Sequence, residues 1–172
     1  MAHAQIAVGL MVLRAEHTYD EETLTGLIGD TMLTPPGRFP LLLRGLLAGF
    51  DLDFTVAVHL IIPQLEAGLR HIAAQNGTVP RNISANGVEE AWGFDRLLSE
   101  RAVTEVLGER LTFELRSLLI DDFGPKLRHN VAHGLIPDNA LKGLDALYAW
   151  WLALRLAVLP SAKFQAYAET GR

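Results

Sequence analysis

Residues 54–75 constrain the fold more than any other stretch of the sequence. Apolar side chains recur there at the three- and four-residue spacing of one helix face. They are Phe54, Val58, Ile61, Leu65, Leu69 and Ile72. Asp53 is a suitable N-cap residue, and Asn76-Gly77 is a suitable stop. We therefore predict one long helix over 54–75, whose apolar face requires other helices to cover it.

Helical patterns recur through most of the remaining chain, which predicts an all-α fold. They cover 4–15, 21–30, 41–50, 94–107, 111–119 and a stretch from Asp138 or Asn139 to Leu159. Residues 77–93 are rich in Gly, Asn, Pro and Ser, and we expect a loop with a short hairpin. Because Thr34-Pro-Pro-Gly interrupts the pattern, the predicted organisation is a helical domain over 35–160. Residues 1–34 are then a helical lead-in or the end of an upstream region, and 161–172 a frayed tail.

The last predicted helix is apolar on nearly every side. Between 146 and 159 its one charged residue is Arg155. A helix of this kind must be buried on most sides, so we predict that it contributes to a subunit interface. A membrane anchor is the competing interpretation, but the short apolar span and Arg155 argue against it.

A cluster of chemically versatile side chains lies between Pro125 and Gly134. Arg128, His129, Asn130 and His133 fall within six residues, and no acid lies among them. With proline able to start a helix and glycine able to end it, we predict a short helix on which the two histidines are i, i+4 neighbours. Arginine is the best bidentate partner for phosphate, and histidine can transfer protons near neutral pH. This combination favours chemistry on a phosphodiester.

Two other interpretations of this cluster remain open. In the first, a histidine caps a turn and the arginine pairs with an acid such as Asp121 or Asp122. In the second, His129 and His133 bind a metal ion together with one of those aspartates. Two histidines at this spacing without an intervening glutamate are a weak metal signal, and we expect neither a metal nor a cofactor.

The helix over 54–75 also carries a polar stripe. His59, Glu66 and Arg70 project within about 40° of one another. Such a stripe is often only the wet face of a helix. Because Glu66 and Arg70 are the only charged residues between 54 and 75, we interpret the stripe as partly buried, where charges need partners. Glu66 can pair with Arg70 or hold Arg128 or His133 in position, and we favour the second.

Charge and composition exclude several function classes. The net charge of −5 argues against a broad nucleic-acid-binding surface. Residues 124–172, which include Lys126, are the one net-positive section, with 6 basic and 3 acidic side chains. The absence of cysteine excludes disulfides and thiolate metal sites. Without a signal-peptide pattern or a spanning apolar run, we expect a cytoplasmic protein outside the membrane.

The arginine, four residues and then histidine of this cluster resemble the motif of the HEPN superfamily of all-α domains, many of which are metal-independent ribonucleases. More closely, 128–134 is similar to the Arg-Asn-x-x-x-His-Gly motif of an uncharacterised HEPN-related family found at the C-terminal end of longer proteins. Residues 59–66, 69–70, 113–119 and 147–160 also resemble that family, so the similarity covers roughly 35–160. His129 departs from the pattern, because the family usually has asparagine there.

The resemblance implies a HEPN-like helical bundle that pairs as a homodimer, with the motif helices facing one another. It also implies a metal-independent endoribonuclease in which the RNA 2′-OH attacks the adjacent phosphorus and leaves a cyclic phosphate. Arg128, His133 and Asn130 would then be catalytic. The residues expected to contact substrate are His129, Lys126, Arg70, Glu66 and His59.

HEPN-like domains include inactive members, so a non-catalytic module that binds RNA, a nucleotide or a protein is the alternative. Toxin and phage-defence roles are common among HEPN-like ribonucleases. A regulatory partner or an upstream domain would fit such a role.

Overall fold

The computed structural model describes residues 2–31, 33–84 and 86–170, and these form helices with one small hairpin. The helices are α1 (Ala2–Glu16), α2 (Glu21–Ile28), α3 (Phe39–Phe50), α4 (Phe54–Gln75), α5 (Phe94–Leu97), α6 (Arg101–Leu119), α7 (Leu127–Ala132), α8 (Asp138–Leu141), α9 (Leu144–Val158) and α10 (Ala162–Thr170). The strands are β1 (Arg81–Ile83) and β2 (Glu89–Ala91), which pair antiparallel. The predicted all-α class is therefore confirmed.

Helix α4 lies at the centre of the bundle and has the predicted bounds. The Asp53 side chain accepts a hydrogen bond from the backbone N–H of Val56 at 3.1 Å, which fixes the start of the helix. Asn76 ends it by donating its side-chain amide to the carbonyl of Ile72. The apolar face packs mainly against α3 and α9. This packing brings the rim of α4, with Glu66 and Arg70, against α7.

Trp150 of α9 is the largest side chain sealed inside this core. Its indole N–H donates to the carbonyl of Leu46 at 2.9 Å, so the buried polar atom is satisfied. Its ring meets Phe50 and Phe54 edge to face, with centroids 5.0 and 6.1 Å away. A Cβ atom at Gly49 would overlap the indole. Glycine at 49 therefore allows α3 to approach α9 closely enough to enclose the ring.

The predicted last helix is two helices. It breaks at Lys142-Gly143, where the extended backbone of Gly143 forms the N-cap of α9. Most of α9 is buried by its own chain, since α1, α2, α3, α4, α6 and α8 all contact it. The apolar character that suggested a subunit interface is thus accounted for within one chain.

The frayed tail predicted after the domain needs correction. Residues 162–170 form α10 rather than a frayed tail, because Ser161 and Asp30 accept hydrogen bonds from its first backbone N–H groups. In the N-terminal segment, Leu24, Ile28 and Leu33 pack in the same core as α4.

The stretch from 77 to 119 follows the prediction in outline. The strands flank Asn86-Gly87, with Gly87 in the left-handed region. The predicted helix over 94–107 is broken after α5, and Gly108 interrupts α6 at a φ of 75°. Among the described residues, no helix is both long enough and apolar enough to cross a membrane.

Two glycines test the packing around Trp150. We expect Gly49→Ala to lower the free energy of unfolding by about 1–3 kcal/mol, because the new methyl group would force the indole or α3 to move. Gly9→Ala is the matched control, since a Cβ there meets no atom within 4 Å. It should be neutral or stabilising by up to about 1 kcal/mol through helix propensity. Urea denaturation followed by circular dichroism measures both, and equal effects would contradict this packing.

Candidate functional site

Helix α7 carries the motif and is anchored by one apolar edge. Leu127 is completely buried, and Val131, one turn later, packs against the same core. His129 and His133 project from another side and are exposed. The helix is shorter than predicted, because Pro125 precedes it and Lys126, with left-handed backbone angles, forms its N-cap. The spacing of the sequence therefore separates a buried apolar edge from an exposed imidazole edge.

The C-terminus of α7 ends in a Schellman motif. Gly134 adopts a φ of 64°, and its N–H donates to the carbonyl of Val131 at 3.3 Å. The N–H of Leu135 donates to the carbonyl of Asn130 at 2.8 Å. The predicted stop at Gly134 is confirmed. It leaves His133 as the C-cap residue, at the end of the helix.

Arg128 is held from across the bundle by Glu66. The Arg128 Nε atom lies 3.2 Å from Glu66 Oε2, and the Arg70 Nη1 atom lies 2.8 Å from Glu66 Oε1. Arg70 Nη1 also donates to the carbonyl of Trp92 at 2.8 Å. The Glu66 side chain is only 14% exposed, so both ion pairs are partly shielded from water. Of the two partnerships predicted for Glu66, the structure contains both the pair with Arg70 and the pair with Arg128.

The two histidines of α7 form a close pair. Their ring centroids are 4.6 Å apart and their planes are tilted by 51°. Asn130 faces another way, because its side-chain amide donates to the carbonyl of Pro125 at 2.9 Å and stabilises the turn before α7. One N–H of the Asn130 amide is engaged in that turn, so the second N–H and the carboxamide oxygen remain available to a substrate.

Two clefts meet at Arg128. The hairpin-side cleft, of about 440 Å³, is lined by residues 93–96, 119–120 and 122 together with Lys126, Arg128 and His129. The α4-side cleft, of about 270 Å³, is lined by Arg38, Ile62, Pro63, Glu66, Arg70, Arg128, Val131 and Ala132. His129 is therefore the imidazole that shares a cleft with Arg128, and His133 lies beside it through the paired rings. His133 is not among the residues that line either cleft, and its contact with this site runs through the ring of His129.

The α4-side cleft has an excess of positive charge. Arg38, Arg70 and Arg128 line it, and Glu66 is the one carboxylate among its lining residues. Arg38 donates from Nη1 to Gln64 Oε1 at 3.1 Å, and this neutral acceptor leaves the positive charge of Arg38 uncompensated. Sequence reasoning missed Arg38, whose partner is 26 residues away and gives no local signal.

Arg96 is a second cation that sequence reasoning missed, and it lines the hairpin-side cleft. Its guanidinium carbon lies 3.8 Å from the centroid of the Trp92 ring, a cation–π contact. It also donates to Asn82 Oδ1 at 2.6 Å, and this acceptor too is neutral. Trp92 precedes α5 and Arg96 lies within it, so no helical spacing in the sequence indicates this pair.

The other predicted residues lie at varying distances from this arrangement. Lys126 lines the hairpin-side cleft but forms an ion pair with Asp122, while Asp121 pairs with Arg116. Neither aspartate pairs with Arg128, whose acidic partner is Glu66, so the first interpretation of the motif remains open with a different acid. His59 is exposed on α4 and contacts the carbonyl of Thr55 at 2.7 Å through Nδ1. This contact lies within its own helix and does not connect His59 to Arg128.

The metal-site interpretation needs a third ligand near the histidine pair. Within the ranges that the structure describes, no three His, Asp or Glu side chains come together in a group that could hold a metal ion. What the arrangement offers instead is guanidinium donors for an anion, next to two exposed imidazoles.

Comparison with known proteins identifies no family for this chain. No protein-family model, curated protein or solved structure matches the chain.

Proposed function

We propose that this chain is a HEPN-like, metal-independent endoribonuclease whose site is centred on Arg128. The observation that carries the proposal is the position of Arg128, between two clefts supplied with further arginines and beside the paired imidazoles of His129 and His133. Guanidinium groups recognise phosphate oxygens, and imidazoles move protons near neutral pH. A phosphodiester substrate uses both kinds of side chain, because its charged oxygens bind guanidinium groups and its cleavage requires proton transfer.

The proposed reaction uses the RNA itself as the nucleophile. One imidazole removes the proton of the 2′-OH, whose oxygen attacks the adjacent phosphorus. The bond from phosphorus to the 5′ oxygen breaks, and the other imidazole protonates the leaving oxygen. The product carries a 2′,3′-cyclic phosphate. Arg128 stabilises the negative charge that develops on the phosphate oxygens, and the second N–H of the Asn130 carboxamide orients the scissile phosphate.

We propose that the active form is a homodimer in which two α7 helices face one another. Phe123 and Leu135, which lie just before and just after α7, are 76% and 62% exposed. Large apolar side chains this exposed on either side of a candidate site favour a protein partner. Pairing identical surfaces about a two-fold axis would bring two sets of Arg128, His129 and His133 to one composite cleft.

The second candidate function is a non-catalytic RNA-binding module. One observation favours it: Arg128 shares the Glu66 carboxylate with Arg70, so part of its guanidinium is already engaged. Under this alternative the clefts would bind the RNA backbone without cleaving it.

Substitution of the imidazoles separates the two functions. We expect His133→Ala and His129→Ala each to lower kcat for cleavage of single-stranded RNA by about 10²- to 10⁴-fold, because each removes a proton-transfer group. RNA binding, measured by fluorescence anisotropy, should change little. DNA of the same sequence should resist cleavage because it lacks the 2′-OH. Chelators should have no effect.

Several outcomes would contradict the nuclease. Cleavage of DNA or inhibition by a chelator would exclude 2′-OH attack without a metal. Binding of RNA by the wild-type chain without any cleavage would favour the binding module instead.

Glu66 should act as a positioning residue for Arg128. Glu66→Gln removes the negative charge that faces both arginines, whereas Arg70→Gln breaks the Glu66–Arg70 pair and the hydrogen bond to Trp92 but leaves the Glu66 carboxylate beside Arg128. We expect Glu66→Gln to lower kcat by about tenfold or more while KM changes less, since the misplaced guanidinium acts mainly in the transition state. Arg70→Gln is the control for lost stability.

Urea denaturation supplies the comparison that decides the role of Glu66. Similar losses of stability in the two variants, with a much larger loss of kcat in Glu66→Gln, support positioning. Equal losses of kcat would assign Glu66 a structural role only.

A further inference from the structure

A second cavity lies away from the Arg128 clefts, between α1, the second half of α6 and α9. Its volume is about 420 Å³, and it shares no lining residue with either cleft. Leu10 and Leu13 of α1 and the indoles of Trp150 and Trp151 contribute apolar walls. A space of this size with apolar walls matches the usual dimensions of small-molecule sites.

One end of this cavity is charged. Glu114 lies between two arginines, with its Oε1 atom 3.0 Å from Arg110 Nε and its Oε2 atom 3.0 Å from Arg155 Nη1. The Glu114 and Arg155 side chains are mostly buried, whereas that of Arg110 is 84% exposed. The cluster therefore has two guanidinium groups for one carboxylate and carries a net positive charge beside apolar walls.

Tyr148 completes the polar end. Burial raises the pKa of the Tyr148 hydroxyl above its ordinary value, and the nearby Glu114 carboxylate raises it further. The Tyr148 hydroxyl is hydrogen-bonded to the Glu114 carboxylate, so it helps to fix the charged end of the cavity. The two guanidinium groups around the single Glu114 carboxylate favour an anion over a cation as ligand.

Helix α1, which covers the cavity, leaves space for a ligand at Gly9. Gly9 of α1 lines the space, and a Cβ atom built there would meet no atom within 4 Å. A larger side chain at Gly9 can therefore enter the cavity without displacing the backbone.

We propose that this cavity binds a small amphipathic carboxylate. Its apolar body lies between α1 and the indoles, and its carboxylate accepts hydrogen bonds from Arg155 and Arg110. The planar fork of a guanidinium matches a carboxylate, and a single negative charge balances the excess of one positive charge in the cluster.

Calorimetric titration of the full chain with octanoate tests the proposal, with 1-octanol and octylammonium as neutral and cationic analogues of the same length. Octanoate should bind with a stoichiometry of one and at least tenfold more tightly than either analogue. Arg155→Gln should weaken octanoate binding by about ten- to hundredfold, because it removes a charged hydrogen-bond donor. Arg110→Gln, at an exposed position that tolerates substitution, should weaken it as well and serves if Arg155→Gln does not fold.

Two variants of Gly9 test whether octanoate binds in this cavity. Gly9→Leu should abolish octanoate binding by filling the cavity, while Gly9→Ala should retain it; circular dichroism confirms that both are folded. Equal affinity for octanoate and octanol, or undiminished binding by Gly9→Leu, would overturn the proposal. So would a wild-type dimer that fails to bind octanoate and dissociates in Gly9→Leu, because a second copy would then occupy the cavity.

Discussion

The candidate site depends on one carboxylate that is shared by two arginines. Glu66 lies on α4, whose position is fixed by the core, and it contacts both Arg70 and Arg128. Arg70 also donates a hydrogen bond to the carbonyl of Trp92, next to the hairpin. Two separate parts of the chain, α7 and the segment at Trp92, are thereby tied to one helix. Because the ion pairs are partly shielded from water, removing the carboxylate would leave two cations close together without compensation.

The charge of the site differs from that of the whole chain. The net charge is −5, yet the side chains around α7 include arginines that meet neutral acceptors, Gln64 for Arg38 and Asn82 for Arg96. An anion that approaches this surface meets the guanidinium groups of Arg38 and Arg96, which in the described part of the chain donate to neutral acceptors, although Asp95 and Asp122 also line the hairpin-side cleft. A small positively charged site on an acidic chain favours binding of a few phosphates of one strand over binding of a long duplex.

Much of this arrangement could be predicted from the sequence, but only where the signals are local. The bounds of α4 follow from Asp53 and Asn76, each of which caps its own end of the helix, and Gly134 marks the end of α7 in the same way. The partnership of Glu66 with Arg128 was predictable because a charged residue on a buried helix needs a partner. Arg38 and Arg96 were not found, because only the folding of distant segments brings them to the clefts. The break at Gly143 was missed because the apolar pattern on either side is continuous.

The central claim is that the arginines around Arg128 bind an RNA backbone, and the salt dependence of binding tests it most directly. A 2′-O-methyl RNA, which lacks the nucleophile, is titrated against the wild-type chain, Arg96→Gln and Arg101→Gln by fluorescence anisotropy. Both variants lose one positive charge, but Arg101 is exposed and pairs with Glu105 outside the clefts. The account predicts several-fold weaker binding for Arg96→Gln alone, with the slope of log K against log salt reduced by about 0.7. Identical behaviour of the two variants would contradict it.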